Sequence, residues 1–312
     1  MKPSFMHPDQ LAALEAVADT GAFEAAARRL AVSTSAVSQR IRALESALGR
    51  VLVRRGSPST PTPDGEVVLR YARQQSLLAA EMAAELDLDG TTDPRAGTGT
   101  GQAEPVELAV AVNADSLATW FPAVLHEAAA WNCRLRLIVA DESRTSELLR
   151  SGRVMCAVSA SGARAAGCRV ERLGTTTYVP VVAPGLLTDG ATAASLPVVR
   201  FDADDDLQDL ALRAAGLPVP PPRAHVPTTS GFLAAIEAGL GWGVFPQDRL
   251  AGHPDLVPVP GLATVERELF WHRWSIASAS LDRLTDAVRE SFRSGRQPSR
   301  GSRTSRASRD SA

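Results

Sequence analysis

Between Gly21 and Ser33 the chain has room for one short helix and one tight turn, and this spacing restricts the first fifty residues more than any other feature. On its N-terminal side, DQLAALEAVADTG places Leu11, Leu14, Val17 and Ala18 on one helical face, with Gly21 where a C-cap glycine stands. AFEAAARRL repeats the pattern with Phe23, Ala26, Ala27 and Leu30. AVS is then a brief turn, and Ser33 can cap a third helix, STSAVSQRIRALE, striped by Val37, Ile41 and Leu44. Three short helices with a tight turn before the third are the parts of a helix-turn-helix. After Gly49, the strand-like VLVRR and the Pro-rich SPSTPTPDG would add a small wing.

The polar side of the third helix carries Thr34, Ser35, Ser38, Gln39 and Arg42, all projecting from its N-terminal half. That half enters the major groove in helix-turn-helix proteins. Gln and Arg are the side chains most informative about base edges, while Ser and Thr donate to phosphates. Arg54 and Arg55 in the wing, with Arg28 and Arg29, would supply salt-dependent backbone contacts. A merely solvated face has the same composition; the turn before it and the basic wing after it favour DNA. Charge is distributed accordingly. Residues 1–60 hold eight Lys/Arg against five acids, +3, and residues 293–312 hold six Arg against one Asp, +5. A total of -2 therefore leaves -10 for the middle of the chain, which suits a cationic ligand there.

At 312 residues, two domains are the natural expectation. The winged helix-turn-helix occupies 1–63, and a long helix follows over 64–88, with Val68, Tyr71, Leu78, Met82 and Leu86 as an apolar seam. With nothing in its own domain to pack on, this helix is expected to pair with a second copy of itself. Residues 89–105, rich in Gly, Thr and Pro, read as a flexible linker, and GTGTG within them lacks the strand and GK[ST] of a phosphate loop. Over 106–293, apolar runs alternate with helical patterns. VELAVAV, RLRLIVA and VMCAVSA are strands of a βαβαβ unit, and a second block runs from TYVPVVAP to LGWGVFP. ELFWHRW and the helix LDRLTDAVRESFR return to the first block, so strands crossing between two α/β subdomains would leave a cleft. Residues 294–312 form an Arg/Ser tail of disordered composition.

Acids at strand ends are the candidate ligand groups. Ser116 opens a helix after Asn113 and Asp115, a seat for a carboxylate. Asp141 and Glu142 follow the next strand, at the carboxyl edge where open α/β sheets bind ligands, and can hold an ammonium or a cationic side chain. Thr229 and Ser230, at another helix start, would close from the second block, near a further cluster of Asp202, Asp204 and Asp205. Each carboxylate could equally be a helix cap or a surface acid; their convergence favours a ligand. No catalytic constellation, cofactor motif or metal spacing stands out, and His272 reads as a strand residue packed between subdomains. Cys133, Cys156 and Cys168 are odd in number and lack CxxC spacing, as in a reducing cytoplasm. MKPSFMHPDQ has no apolar leader core, and no apolar run suggests a membrane span. A solute-binding protein or small α/β enzyme with an unrelated helical head is the competing class.

The segment from Met6 to Arg55, with the Thr62–Gly65 turn, resembles the N-terminal domain of the LysR-type bacterial transcriptional regulators. Ala26, Ala27, Leu30, Ser33, Val37, Ser38, Ile41, Leu44, Glu45, Gly49, Leu52 and Arg55 carry the likeness, which continues to about Arg293. The chain departs from the family in STSAV, where many members have a Pro, and in Val53, where they have Phe. AVNADSLATWF, DESRTSELLRSG and FWHRW further resemble the branch that senses lysine and arginine and controls their export genes. The resemblance implies a periplasmic-binding-protein-like effector domain, promoter DNA and lysine or arginine as ligands, and self-association as dimer or tetramer. RNA polymerase is a further candidate partner, and no membrane is involved.

Overall fold

The computed structural model describes residues 6–86 and 105–295, so the flexible-linker expectation and the Arg/Ser tail fall almost wholly outside the described residues. Helices α1 (Pro8–Thr20), α2 (Phe23–Arg29) and α3 (Thr34–Leu48) form the head. Gly21 and Gly49 end α1 and α3 in the left-handed conformation, at φ 69 and 65. Ser33 caps α3 through a bond from Ala36 N at 3.1 Å to its hydroxyl. Val37, Ile41 and Leu44 are buried with Leu14, Val17 and Ala26. The wing is a two-residue ladder, β1 (Val53–Arg54) on β2 (Thr60–Pro61).

Helix α4 runs Pro63–Glu85, capped by the Thr62 hydroxyl. Contrary to expectation, it does have partners in its own chain. Leu69 and Ala72 complete the core of the head, while Leu77 enters the core of the C-terminal module. Arg73 Nη1 donates to Gly152 O at 2.9 Å, and Arg73 also pairs with Asp19 of α1. Glu81 Oε1 accepts from Ser278 Oγ at 2.7 Å and from Ser280 N at 2.8 Å. The expected seam also shifts by one position: Val68 packs on the head, and Val67 joins Tyr71, Leu78, Met82 and Leu86 in an exposed apolar row. A 23-residue helix offers more faces than one stripe can describe, and here two are buried and a third is bare.

The C-terminal module is built on a seven-stranded sheet. Its first block places β3 (Val106–Val112) between β4 (Cys133–Val139) and β5 (Cys156–Ser159), all parallel, with α5 (Ala114–Ala118), α6 (Pro122–Ala128) and α7 (Glu142–Arg150) as connections. The long strands β6 (Cys168–Val182) and β11 (Val265–Trp274) pair antiparallel along ten residues of β11 and carry the sheet into the second block. There β9 (Gly243–Pro246) and β10 (Val257–Pro258) add antiparallel to β6, flanked by α8 (Leu207–Ala214) and α9 (Thr229–Glu237). Strands β7 (Val199–Arg200) and β8 (Ala224–His225) form a short parallel pair. The expected parallel sheet therefore holds for the first block, whereas the second is largely antiparallel. An apolar run reads the same in either direction, and only the crossing strands set the polarity. Helix α10 (Ala279–Ser294) returns to the first block, where Leu281, Leu284, Val288 and Phe292 are buried against it. His272 sits in this block, between β5 and β6, rather than between subdomains as expected. Its Nε2 lies 2.8 Å from Ser161 O, and burial lowers its pKa.

Candidate nucleic-acid face and ligand cleft

On α3, Ser35, Gln39 and Arg42 are exposed and Thr34 and Ser38 half-buried, on the side away from the Val37, Ile41 and Leu44 stripe. The Ser33 hydroxyl is occupied as a cap and lies 2.9 Å from Ser35 Oγ. Arginines around the helix divide into two groups. Arg29, Arg40 and Arg50 are paired with Asp19, Asp9 and Asp64. Arg28, Arg42 and Arg54 are exposed and have no ion pair among the described residues. Arg55 is exposed and stacks over the Phe23 ring at 4.8 Å, which anchors the wing on α2.

The subdomains enclose a cavity of about 400 Å³, within the range of small-molecule sites. Of the expected residues, Asn113, Asp115, Asp141 and Thr229 line it. Ser116 and Ser230 do not: Ser116 is buried and lines a neighbouring cavity, and Ser230 is exposed. Glu142 begins α7, but its side chain is outside the described residues. The carboxylate seat also differs in detail. Helix α5 has only five residues, and Ser116 N already donates to the Asn113 side chain at 2.8 Å. Thr229 is the first residue of α9, and the Thr228 hydroxyl caps the helix.

Six aspartates line the cavity against two arginines. Several have structural duties as well. Asp141 caps α7, accepting from Arg144 N at 3.2 Å, and Asp202 accepts from Asp204 N. Asp205 gathers Phe201 N, Leu207 N and Gln208 Nε2, and Asp206 pairs with Arg267. Asp115 is different. Its carboxyl is pushed up to about 6, chiefly by burial and further by Asp205, against the opposing effect of the hydrogen bond from Tyr178. Phe201, Phe232, Val244 and Phe245 supply an apolar wall. The N-terminal ends of α5, α7, α8 and α9 all reach the cavity, through Ala114, Asp141, Leu207 and Thr229. The arrangement thus combines backbone donors for an anionic group with carboxylates for a cation and a surface for an aliphatic stem. Sequence reading missed Tyr178, Phe201, Phe232 and Arg267, because their positions on β6, in a loop, on α9 and on β11 carry no sequence signal of which face meets the cleft.

Residues 8–66 match the model of the bacterial regulatory helix-turn-helix protein, lysR family, and residues 101–293 that of the LysR substrate binding domain. The chain is 40% identical to the lysine export transcriptional regulatory protein LysG of Corynebacterium glutamicum, over 94% of this chain and all of that one. Among solved structures, ArgP from Mycobacterium tuberculosis aligns with TM-score 0.77 at 39% identity, covering 91% and 96% of the two chains. Full-length LysG of C. glutamicum with bound effector Arg aligns with TM-score 0.73 at 39% identity, covering 94% and 100%. With a regulatory helix-turn-helix matched over residues 8–66 and a substrate-binding domain over residues 101–293, this chain belongs to the LysR family of bacterial DNA-binding transcriptional regulators.

Proposed function

We propose that this regulator acts in the cytoplasm, binds lysine or arginine in the cleft between its subdomains, and controls transcription of a basic amino-acid exporter gene. The observation that carries the reading is the cavity itself, with six aspartates, an apolar wall and four helix N-termini around a space of about 400 Å³. LysG of C. glutamicum, named for lysine export and solved with bound Arg, supports the same reading. Asp115 and Asp141 would hold the cationic or ammonium group, and the backbone N–H groups at Ala114 and Thr229 the α-carboxylate. The bare row from Val67 to Leu86 on α4 would pair two copies. Isothermal titration of the full chain with arginine and with lysine tests the proposal. We expect saturable binding to one or both, weakened roughly ten- to hundredfold by Asp115→Asn, the effect of losing a charged hydrogen bond of about 1.5–3 kcal/mol. No heat with either amino acid would reject it.

Binding should depend on pH in a defined direction. A protonated Asp115 cannot pair with a cation, so affinity for arginine should fall as pH drops through about 6. Because the folded-state value lies above the ordinary 3.8, ionisation of Asp115 opposes folding of the ligand-free protein. That stability is present at low pH and lost as pH rises through about 6, and a cationic ligand offsets the loss. Ligand titrations at pH 5 and pH 7.5 measure the first effect and thermal melts of the ligand-free protein at the same two pH values the second, with Asp115→Asn as the reference that lacks the titrating carboxyl.

On DNA, Ser33, Thr34, Ser35, Ser38, Gln39 and Arg42 would face the major groove, with Arg28, Arg54 and Arg55 on phosphates. Gln39→Ala should then cost about 1–3 kcal/mol on the cognate site and little on random DNA, whereas Arg54→Ala should weaken both equally and reduce the salt slope by about one. Gel shifts across a salt series distinguish the two patterns, and equal losses for Gln39→Ala would remove it as a base reader.

A further inference from the structure

A second cavity, of about 360 Å³, adjoins the cleft and shares only Asp115 and Tyr178 with it. Residues of α5 and the turn after it, the crossing strand β6, the segment after β9 and the end of α10 line it. Three of its lining side chains carry buried polar atoms with no partner among the described residues: Ser116 Oγ, Trp120 Nε1 and Arg249 Nη1. Ser116 is 1% exposed and Trp120 8%, so neither is a surface group waiting for water. An indole N–H and a guanidinium N–H can only donate, and the Ser hydroxyl can also donate. Leaving such buried donors unmatched forfeits their hydration with nothing in return, so an acceptor that serves several of them recovers a substantial penalty. The neighbours narrow the choice. Trp120 is fixed edge-on against Phe292 at 5.3 Å, and Arg249 is stacked on Phe245 at 5.3 Å, so both donors are held in place before any ligand arrives. Asp115 and Asp248 also line the cavity and can take a positive group beside the acceptor.

We infer that this second cavity is a distinct ligand site for a small α-amino acid, whose carboxylate accepts from Arg249, Trp120 and Ser116 and whose ammonium faces Asp115 and Asp248. Asp115 and Tyr178 are the wall between the two sites, so occupancy of one changes the electrostatics of the other. By linkage, a ligand here alters arginine affinity in the cleft, and arginine alters affinity here by the same factor. The inference uses the cleft reading only for this coupling; the site itself stands on its own donors.

Trp120 provides the probe. The full chain labelled with 5-fluorotryptophan has five resonances, and Trp120→Phe identifies the relevant one. Its titration with L-alanine, propionate and propylamine, with and without saturating arginine, separates the groups recognised. We expect a saturable shift with L-alanine, a weaker one with propionate and none with propylamine, all persisting in saturating arginine. Arg249→Met and Ser116→Ala should each weaken the L-alanine response at least tenfold while arginine still binds with measurable heat in the cleft, which also shows that the variants fold. A non-saturating response to all three probes, or an undiminished L-alanine response in both variants, overturns the site. Loss of the L-alanine shift on adding arginine would show that both ligands compete for the cleft and would overturn it too. Failure of arginine to bind, with the L-alanine shift intact, would instead reject the cleft reading alone.

Discussion

Replacing Gly65 with alanine is expected to abolish DNA binding while leaving arginine binding in place. Gly65 is buried in the first turn of α4, and a Cβ built there would stand 2.0 Å from Leu52 O and 3.0 Å from Leu52 C. Those atoms are backbone, so no rotamer change relieves the clash. Leu52 is also held on every side: its carbonyl accepts from Thr62 N at 2.9 Å, its amide donates to Glu45 Oε1 at 2.8 Å, and its side chain is fully buried in the head. Thr62 in turn donates to Val51 O at 2.7 Å. An added methyl must therefore separate the wing from α3 or α4 from both. Overpacking of this kind costs about 1–3 kcal/mol where side chains can yield, and more where they cannot. That is a large share of the stability of a head of roughly sixty residues. Gel shifts on the cognate site and thermal melts of the full chain measure the outcome. A Gly65→Ala protein that binds DNA with native affinity would show that the wing can detach from α4 without consequence.

The second large effect is expected at the joint between the module and the head. Helix α7 begins beside Asp141 in the cleft, and the turn after its last residue is Gly152, against which α4 is packed. Gly152 has φ +72, and a Cβ there would meet Arg70 Cα at 2.8 Å. Its carbonyl holds Arg73, and Arg73 holds Asp19, which Arg29 of α2 shares at 2.9 Å. A shift of α7 on ligand binding thus has a direct route, through one carbonyl and one guanidinium, to the helices that carry the DNA-reading face. We expect Arg73→Ala to leave arginine affinity and basal DNA affinity within about threefold of native while the ligand-dependent change in DNA binding collapses. Coupling free energies between such sites are about 1–3 kcal/mol, five- to 150-fold in affinity, so the loss is measurable. Gly152→Val should give the same uncoupling by forcing the two helices apart, with a lower melting temperature. DNA affinity measured with and without arginine tests both variants, and full ligand dependence in Arg73→Ala would remove this route.

Much of the local structure was legible from residues alone. Ser33 as a cap, Gly21 and Gly49 as stops, and the Val37, Ile41 and Leu44 stripe depend on neighbours within one or two helical turns. The βαβαβ run of the first block and the acids at the ends of β3 and β4 were legible for the same reason. The partners of α4 were not. Periodicity states that a face is apolar but not what covers it, and Leu69, Ala72 and Leu77 found three-dimensional neighbours in both domains of their own chain.

The candidate site divides in the same way. Sequence alone determined which residue types stand at the strand ends and that the middle of the chain is acidic. Only the tertiary structure decided that Asp115 is the one of the six whose carboxyl is pushed up, because Tyr178, Asp205, Arg249 and Arg267 reach it from positions 63 to 152 residues further along the chain. It also decided that Asp115 lines both cavities whereas Ser116, its immediate neighbour, lines only the second. Short-range hydrogen bonding and helical periodicity are written into adjacent residues, whereas desolvation and Coulomb interactions depend on which distant strands the crossing of β6 and β11 brings together.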